Sequence, residues 1–90
     1  MELKVTIETW AKESWYIAKC QELDFVAQGR TMEEAKSNLR EVVEIQFEEM
    51  KEMGTLNDYL QECGFKFEND IAVPLSEMVS FEKQAIQING

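Results

Sequence analysis

The fold is decided by the stretch Thr31–Phe47, which reads TMEEAKSNLREVVEIQF. It opens with a capping box, in which the Thr31 hydroxyl accepts from the Glu34 N–H and the Glu34 carboxylate accepts from the Thr31 N–H. Up to Gly54, apolar residues recur at steps of three and four, at Met32, Ala35, Leu39, Val42, Val43, Phe47, Met50 and Met53. This spacing predicts one long amphipathic helix that Gly54 ends in the left-handed conformation.

The segment before this helix predicts the sheet that covers its apolar stripe. Strands are predicted at Leu3–Glu8, Trp15–Cys20 and Phe25–Gln28. Thr9–Ser14 is predicted as a polar hairpin connection that carries Trp10, and Gln21–Asp24 as a turn. Three short strands followed by a helix favour an antiparallel meander with the helix laid across one face.

Alternation of apolar residues assigns a face to the first strand but not to the second. In the first strand the residues on one side are Leu3, Val5 and Ile7. In the second strand, two apolar sets compete for the core side, Trp15 and Ile17 against Tyr16, Ala18 and Cys20. One resolution is that the helix covers one face of the sheet and a second subunit covers the other.

The residues after Gly54 predict a short second helix. Thr55 and Asp58 form a second capping signal, and apolar residues follow at helical spacing, at Leu56, Tyr59, Leu60 and Cys63. Gly64 is predicted to end this helix.

One or two C-terminal strands are predicted beyond Gly64. Phe65–Glu68 alternates as a strand does, and Ile71–Leu75 is apolar with a proline that suits a strand end or edge. Ser76–Val79 is predicted as a single helical turn. Phe81–Ile88 is predicted to contain a strand, Ala85–Ile88, that suits pairing with another chain.

Length and composition predict a single domain spanning residues 1–90 with one modest core. The apolar runs are far shorter than the roughly 20 residues of a membrane span, and Met1–Lys4 lacks a signal-peptide profile. We therefore expect a cytoplasmic protein without membrane contact. Cys20 and Cys63 are interpreted as reduced, buried small hydrophobes, with a disulfide between them as the alternative.

The charge balance limits the kinds of partner that this chain is expected to bind. Eighteen acidic residues against nine basic ones give a net charge of −9, and the lysines are scattered. Such a chain repels phosphate backbones, so no direct nucleic-acid binding is expected. The acidity serves solubility, or it attracts a basic protein partner.

The residues for most catalytic chemistry are missing from the sequence. It contains no histidine, and its four glycines form no phosphate loop. A carboxylate cluster for a divalent ion is the alternative interpretation of Glu33, Glu34, Glu44, Glu48 and Glu49. Interleaved cations favour a solvated helix face instead. Cys20 has no activator except Lys19, which points to the opposite face of the strand. The prediction is a protein that is not an enzyme and has no cofactor and no metal site.

Exposed aromatic and aliphatic residues predict a protein interface. Trp10 and Trp15 suit a ligand platform or, more simply, packing and an interface. The predicted interface residues are Trp15, Ile17, Phe81, Ile86 and Ile88. Self-association into a dimer or tetramer is expected.

Three stretches together resemble the HicB-type antitoxin family: Trp15–Leu23, Val26–Ala35 and Asn38–Glu41. The second contains Gly29, Thr31 and Glu33-Glu34-Ala35, which match the Gly-x-Thr-x-Glu-Glu-Ala helix start of that family. The resemblance implies a partial ribonuclease-H-like fold without catalytic carboxylates. It also implies homo-oligomers that, within a toxin–antitoxin system, bind and neutralise a small basic RNA-cleaving toxin.

The chain departs from that family in two places. Gln21 and Asp24 stand where the family usually has prolines, and Phe25 stands where it has glycine. The sequence also has no room after Val73–Ile88 for a C-terminal DNA-binding module, so operator binding is not expected.

These observations give three functional hypotheses. The first is a non-catalytic, antitoxin-like protein-binding module that occludes a small basic RNA-cleaving toxin. The second is a stand-alone structural or regulatory oligomer with no toxin partner. The third, a small-ligand or metal-dependent enzyme, requires a pocket in which acidic groups converge.

Overall fold

A computed structural model describes residues 1–89 and has an α+β fold. The elements are β1 (Glu2–Leu3), β2 (Ile7–Lys12), β3 (Trp15–Cys20), β4 (Val26–Gly29), α1 (Met32–Met53), α2 (Leu56–Glu62), β5 (Phe65–Glu68) and β6 (Ile71–Pro74). Strands β2, β3 and β4 form an antiparallel sheet in that order, and α1 packs on one face of it. A second sheet has the order β1-β6-β5. The predicted architecture of sheet, long helix, short helix and C-terminal strands is confirmed.

Helix α1 begins and ends where its caps predict. The Thr31 hydroxyl accepts a hydrogen bond of 3.0 Å from the Glu34 N–H. The reciprocal bond of the capping box is not formed among the described residues. Gly54 has φ 74°, and its N–H donates to the carbonyls of Met50 and Lys51. The left-handed glycine therefore satisfies carbonyl groups that the end of the helix leaves without partners.

The apolar stripe of α1 is covered in the middle and exposed at both ends. Ala35 and Leu39 are buried, and three further residues pack against the core, Val43, Phe47 and Met50. Met32 and Met53 are exposed, contrary to the stripe prediction. A helix of 22 residues is about 33 Å long, whereas six-residue strands span about 20 Å, so the helix ends project beyond the sheet.

The register resolves the ambiguous face of β3. Ala18 and Cys20 are fully buried beneath α1, while Trp15 and Ile17 lie on the opposite face of the sheet. Small side chains allow the helix to approach the sheet closely, whereas a tryptophan at either buried position would hold it away. The position of the helix therefore selects the small-residue face for the core.

The first predicted strand is two strands in the structure. The chain breaks between Leu3 and Ile7, where the Thr6 N–H donates to the side chain of Glu22 instead of a strand partner. Ile7, predicted to face the core, is exposed. The strand β2 also runs further than predicted, so the polar connection expected over residues 9–14 is wrong. The turn is only Glu13-Ser14, and Glu13 takes a positive φ of 56° without the glycine that usually marks such a turn.

The turn between β3 and β4 closes through backbone hydrogen bonds. The Asp24 N–H donates to the Cys20 carbonyl, and the Cys20 N–H donates to the Phe25 carbonyl. Asp24 has φ 61°, a value that a proline ring forbids. This turn therefore differs from the proline-containing turn that the HicB-type resemblance implies. Strand β4 starts one residue later than predicted, at Val26, and ends at Gly29.

The second helix begins after Thr55, as predicted, but without the predicted side-chain capping bond. Leu56 and Leu60 are buried in the core. The Thr55 side chain makes no capping bond within α2, and its hydroxyl instead donates to the Met50 carbonyl over 3.4 Å. Gly64, with φ 87°, follows the helix end as predicted.

A hairpin joins β5 to β6. Asn69-Asp70, which interrupts the alternation in sequence, is its two-residue turn, and Asn69 has φ 58°. Strand β6 lies between β5 and β1 and pairs in parallel with β1 at Glu2 and Leu3. Pro74 lies at the strand end, as predicted.

The helical turn and the strand predicted after Leu75 are wrong. Leu75 is tied to the body by an N–H that donates to the Gly64 carbonyl over 2.7 Å. Residues 77–89 form neither helix nor strand, so the helical turn at Ser76–Val79 and the strand within Phe81–Ile88 are both absent. No strand of the described chain lies beside this segment to pair with it. Without a partner an extended segment leaves its backbone groups to water.

The core joins both sheets and both helices. Its buried residues are Ala18, Cys20, Leu23, Ala35, Leu39, Leu56, Leu60, Phe65 and Ala72. Across residues 1–89, neither helix combines the length and apolar character needed to cross a membrane.

Candidate protein-binding surfaces

The sheet β2-β3-β4 has one face that no element covers. We call it the open face and define it by its apolar residues, Trp10, Trp15, Ile17 and Val26. These residues alternate with the ones beneath α1, and Trp10 lies directly opposite Ile17 in the β2–β3 register. Trp10 is 59% exposed, Val26 57% and Trp15 36%. Two tryptophans in contact with water are unusual on a small domain and are typical of an interaction surface.

Positive charge surrounds Trp15 on this face. Lys12 lies opposite Trp15 in the register, and the Arg30 guanidinium is 4.7 Å from the Trp15 ring centre. Within residues 1–89, neither Lys12 nor Arg30 forms an ion pair, whereas Lys19 on the same face lies 3.9 Å from Asp24. Glu8 lies opposite Lys19 on this face, so the cations Lys12, Lys19 and Arg30 outnumber one carboxylate there, in a chain whose net charge is −9.

The predicted interface residues fall into two separate groups. Trp15 and Ile17 lie on the open face. Phe81, Ile86 and Ile88 lie in the segment Leu75–Asn89, which we call the C-terminal segment, and each is at least 78% exposed. The structure does not bring the two groups together.

Two of the four open-face residues, Trp10 and Val26, are not among the predicted interface residues. The sequence predicts Trp10 in a polar connection and Val26 in a strand, but assigns neither of them to this face. The signal for a strand at Trp10 is the alternation of Glu8, Trp10 and Lys12 with Thr9 and Ala11.

A groove of about 940 Å³ runs between α1 and the second sheet. Its apolar lining includes Leu3, Val43, Phe47, Leu56 and Phe67. Its charged lining residues are the carboxylates Glu44, Glu48 and Asp70 and the cation Lys51. The Met1 ammonium, which also belongs to the lining, lies 3.2 Å from Asp70. An apolar lining that also contains carboxylates suits an apolar segment that also carries basic residues.

The outer face of α1 carries further carboxylates. Seven glutamates of the helix are exposed, Glu33, Glu34, Glu41, Glu44, Glu48, Glu49 and Glu52. The helix carries only three cations, Lys36, Arg40 and Lys51. A large share of the negative charge of the chain is therefore concentrated on one side of the molecule.

The two cysteines are both free, and their environment does not favour a reactive thiolate. Cys20 is fully buried, while Cys63 is only partly buried, in contrast to the prediction that both are buried. Burial raises the pKa of the Cys20 thiol above its ordinary value, because the thiolate loses its hydration. Lys19 lies on the opposite face of β3, as predicted.

The carboxylates of α1 remain dispersed over its surface. Within residues 1–89, no group of three or more cysteine or acidic side chains has a geometry that could hold a metal ion. Glu33 instead lies 3.9 Å from Lys36, one turn along the helix.

Tyr59 links α2 to the turn after β3, and its ionisation is expected to weaken the fold. Its hydroxyl donates to the Leu23 carbonyl over 3.2 Å. Burial and, second, the hydrogen bond with Cys63 raise the pKa of Tyr59 to about 12. The unfolded value is about 10, so this contribution to stability is complete below pH 10 and is lost as the pH rises towards 12.

The measurement is the free energy of unfolding, from denaturant titrations between pH 9 and pH 12, for the wild type and Tyr59→Phe. The wild type is expected to lose more stability over this interval than the variant, because the other titrating groups are common to both chains. Equal losses in the two chains would contradict the assignment.

Comparisons with known proteins give no relative for this chain. A scan against protein-family models, a search of curated proteins and a search of solved structures each found no match. Function is therefore argued from the residues of the chain itself, and the HicB-type resemblance stays a prediction.

Proposed function

We propose that this chain is a non-catalytic, antitoxin-like protein-binding module that neutralises a small basic RNA-cleaving protein by covering it. The observation that supports this proposal is the apolar groove beside α1, whose lining includes Glu44 and Glu48, two carboxylates that form no ion pair within residues 1–89. A basic partner is drawn to the acidic side of α1 by long-range electrostatics, and the groove offers apolar contact once it arrives.

The resemblance to the HicB-type family supports the same proposal. The Gly29, Thr31 and Ala35 positions of the shared motif build the junction between β4 and α1 in this fold. The proposal places the protein in the cytoplasm, where the RNA targets of such a toxin are found.

Co-purification from the native cell tests the proposal. A tagged chain is expected to bring down a small basic protein that cleaves RNA, and one equivalent of the chain is expected to stop that cleavage. Absence of such a protein, or cleavage that continues at equal stoichiometry, would count against the antitoxin-like function.

A pair of matched variants locates the contact. Glu44→Lys with Glu48→Lys reverses charge in the groove lining and is expected to weaken binding at least tenfold, or about 1.4 kcal/mol. Glu49→Lys with Glu52→Lys makes the same change in net charge on residues outside the groove lining and is expected to have a much smaller effect. Equal losses in both variants would mean that only overall charge, and not the groove, is recognised.

The second candidate function is a stand-alone structural or regulatory oligomer with no toxin partner. The uncovered tryptophans of the open face favour it, because a second subunit would remove them from water. Co-purification distinguishes the two functions, since a stand-alone oligomer brings down no RNA-cleaving protein.

A further inference from the structure

Two surfaces of this chain are apolar and have no cover in the described molecule. One is the open face, with Trp10, Trp15, Ile17 and Val26. The other is the C-terminal segment, in which Val79 is 92%, Phe81 89% and Ile88 91% exposed. Leaving both surfaces in water is unfavourable, and a single contact between them would cover both.

The charges of the two surfaces are complementary. Lys12 and Arg30 flank Trp15 on the open face, and no carboxylate of residues 1–89 pairs with them. Glu77 and Glu82 bracket Val79 and Phe81 in the C-terminal segment, and with Lys83 the segment has a net charge of −1. In an extended chain Glu77, Val79 and Phe81 share one side, so the side that offers apolar contact also offers a carboxylate.

The elongated shape of the molecule favours contact between the C-terminal segment and a second copy of the chain. The radius of gyration is 15.8 Å and the longest dimension is 51 Å, whereas a compact chain of this length has a radius of gyration of about 12 Å. Leu75 bonds to Gly64 beside the second sheet, and Glu77, Met78 and Ser80 still lie beside Gln21, Glu22 and Cys63 of the same chain. The residues from Phe81 to Asn89 are exposed and are available to a neighbour.

We propose that the C-terminal segment of each copy packs on the open face of a second copy, which gives a reciprocal two-fold dimer. In such a dimer each contact forms twice, so the buried area doubles. Trp10 is 59%, Trp15 36% and Phe81 89% exposed, so these three side chains contribute roughly 300–450 Å² for each copy, since a buried aromatic side chain covers about 150–250 Å². The aliphatic residues bring the total towards the roughly 800 Å² per partner of a stable interface.

This inference goes beyond the proposed function, because it concerns only copies of this chain and uses the face opposite to the groove side of α1. The dimer proposal can therefore be tested on the purified protein alone. A missing toxin would leave it intact, and a monomeric chain would leave the toxin-binding proposal intact.

Analytical ultracentrifugation of the full chain and two variants tests the exchange. The wild type is expected at twice the 10.5 kDa mass of one chain. The segment variant, Phe81→Glu with Ile86→Glu, and the face variant, Trp10→Glu with Trp15→Glu, are each expected to raise the dissociation constant at least a hundredfold. The control is Ile45→Glu, an exposed residue of α1 away from both surfaces, and it is expected to remain dimeric.

Mixing the two variants gives the decisive result. The face variant keeps an intact segment and the segment variant keeps an intact face, so the mixture retains one of the two contacts. It is expected to form a heterodimer at concentrations where either variant alone is monomeric. A mixture that stays monomeric would overturn the reciprocal exchange.

Other occupants of the open face give different results. Direct face-to-face pairing would leave the segment variant dimeric. A segment that folds back on its own open face would leave the wild type monomeric with blue-shifted tryptophan emission, and an unrelated occupant would leave it monomeric with red-shifted emission. Each of these results would overturn the proposal. The segment variant changes only exposed residues, so it tests the proposal even if the face variant fails to fold.

Charge reversal provides an independent readout. Lys12→Glu with Arg30→Glu, and Glu77→Lys with Glu82→Lys, are each expected to weaken the dimer by about tenfold, since exposed ion pairs contribute modestly. The combined variant restores opposite charges and is expected to recover most of the affinity. A combined variant weaker than either parent would overturn the charge pairing.

Discussion

Replacing Leu39 with alanine is expected to lower the free energy of unfolding by about 3–5 kcal/mol. Leu39 is 1% exposed and is one of the three largest fully buried side chains of the described residues. It belongs to the stripe by which α1 covers the sheet and lies in the core with Ala18, Cys20 and Ala35. A chain of this length has a total stability of roughly 5–13 kcal/mol, so this one change removes much of it.

Urea titration followed by circular dichroism measures the effect, and Ile45→Ala is the matched control. Ile45 is six residues further along the same helix but 57% exposed, so its truncation is expected to change stability by about 0.5 kcal/mol or less. If both variants lose the same amount, the stripe is not what attaches the helix to the sheet.

Replacing Gly29 with alanine is expected to lower the free energy of unfolding by about 2–3 kcal/mol. A Cβ at Gly29 would lie 2.7 Å from the Ala35 nitrogen and 2.9 Å from the Glu34 Cβ. Both contacts involve the first turn of α1, including its backbone, which cannot rotate aside as a flexible side chain does. Strand β4 and the start of the helix would have to separate.

Gly54→Ala isolates the backbone component of a glycine substitution. Gly54 has φ 74° and open space around its Cα, so alanine there meets only the left-handed conformational penalty of about 1–2 kcal/mol. Gly29→Ala is expected to have a second effect that Gly54→Ala lacks. It speeds amide hydrogen exchange in β4, because the close contact between β4 and α1 is lost. Unchanged exchange in β4 would show that the helix start adjusts freely.

Gly29 belongs to the Gly-x-Thr-x-Glu-Glu-Ala motif on which the resemblance to the HicB-type family rests, so its role in the fold shows what this motif does physically. Gly29 allows close approach, Thr31 caps the helix, and Ala35 is fully buried against the sheet. Each residue serves the β4–α1 junction. The motif therefore reports a way of joining a strand to a helix, and the function has to be argued from the surfaces that this junction supports.

The candidate surfaces could be predicted only in part from the sequence. Trp15 and Ile17 were identified as interface residues because they are apolar on a strand whose other face is also apolar. Trp10 is predicted to suit an interface but is placed in a connection, because the β2–β3 turn lacks a glycine and the left-handed conformation of Glu13 cannot be predicted from its residue type. The groove was not predicted, since its lining combines residues near the N-terminus, in α1, at the start of α2 and in the β5–β6 hairpin, which are distant in sequence.

The sequence by itself determined α1, its Thr31 start, its Gly54 end and the meander before it. These features depend on residues that are a few positions apart in the sequence, so local hydrogen bonds and local periodicity are enough to predict them. Only the tertiary structure decided which face of β3 meets the helix, that β6 pairs in parallel with β1, and that the C-terminal segment has no strand partner. When both faces of a strand are apolar, or two strands are distant in sequence, packing across the whole chain selects the arrangement, and no local pattern contains that information.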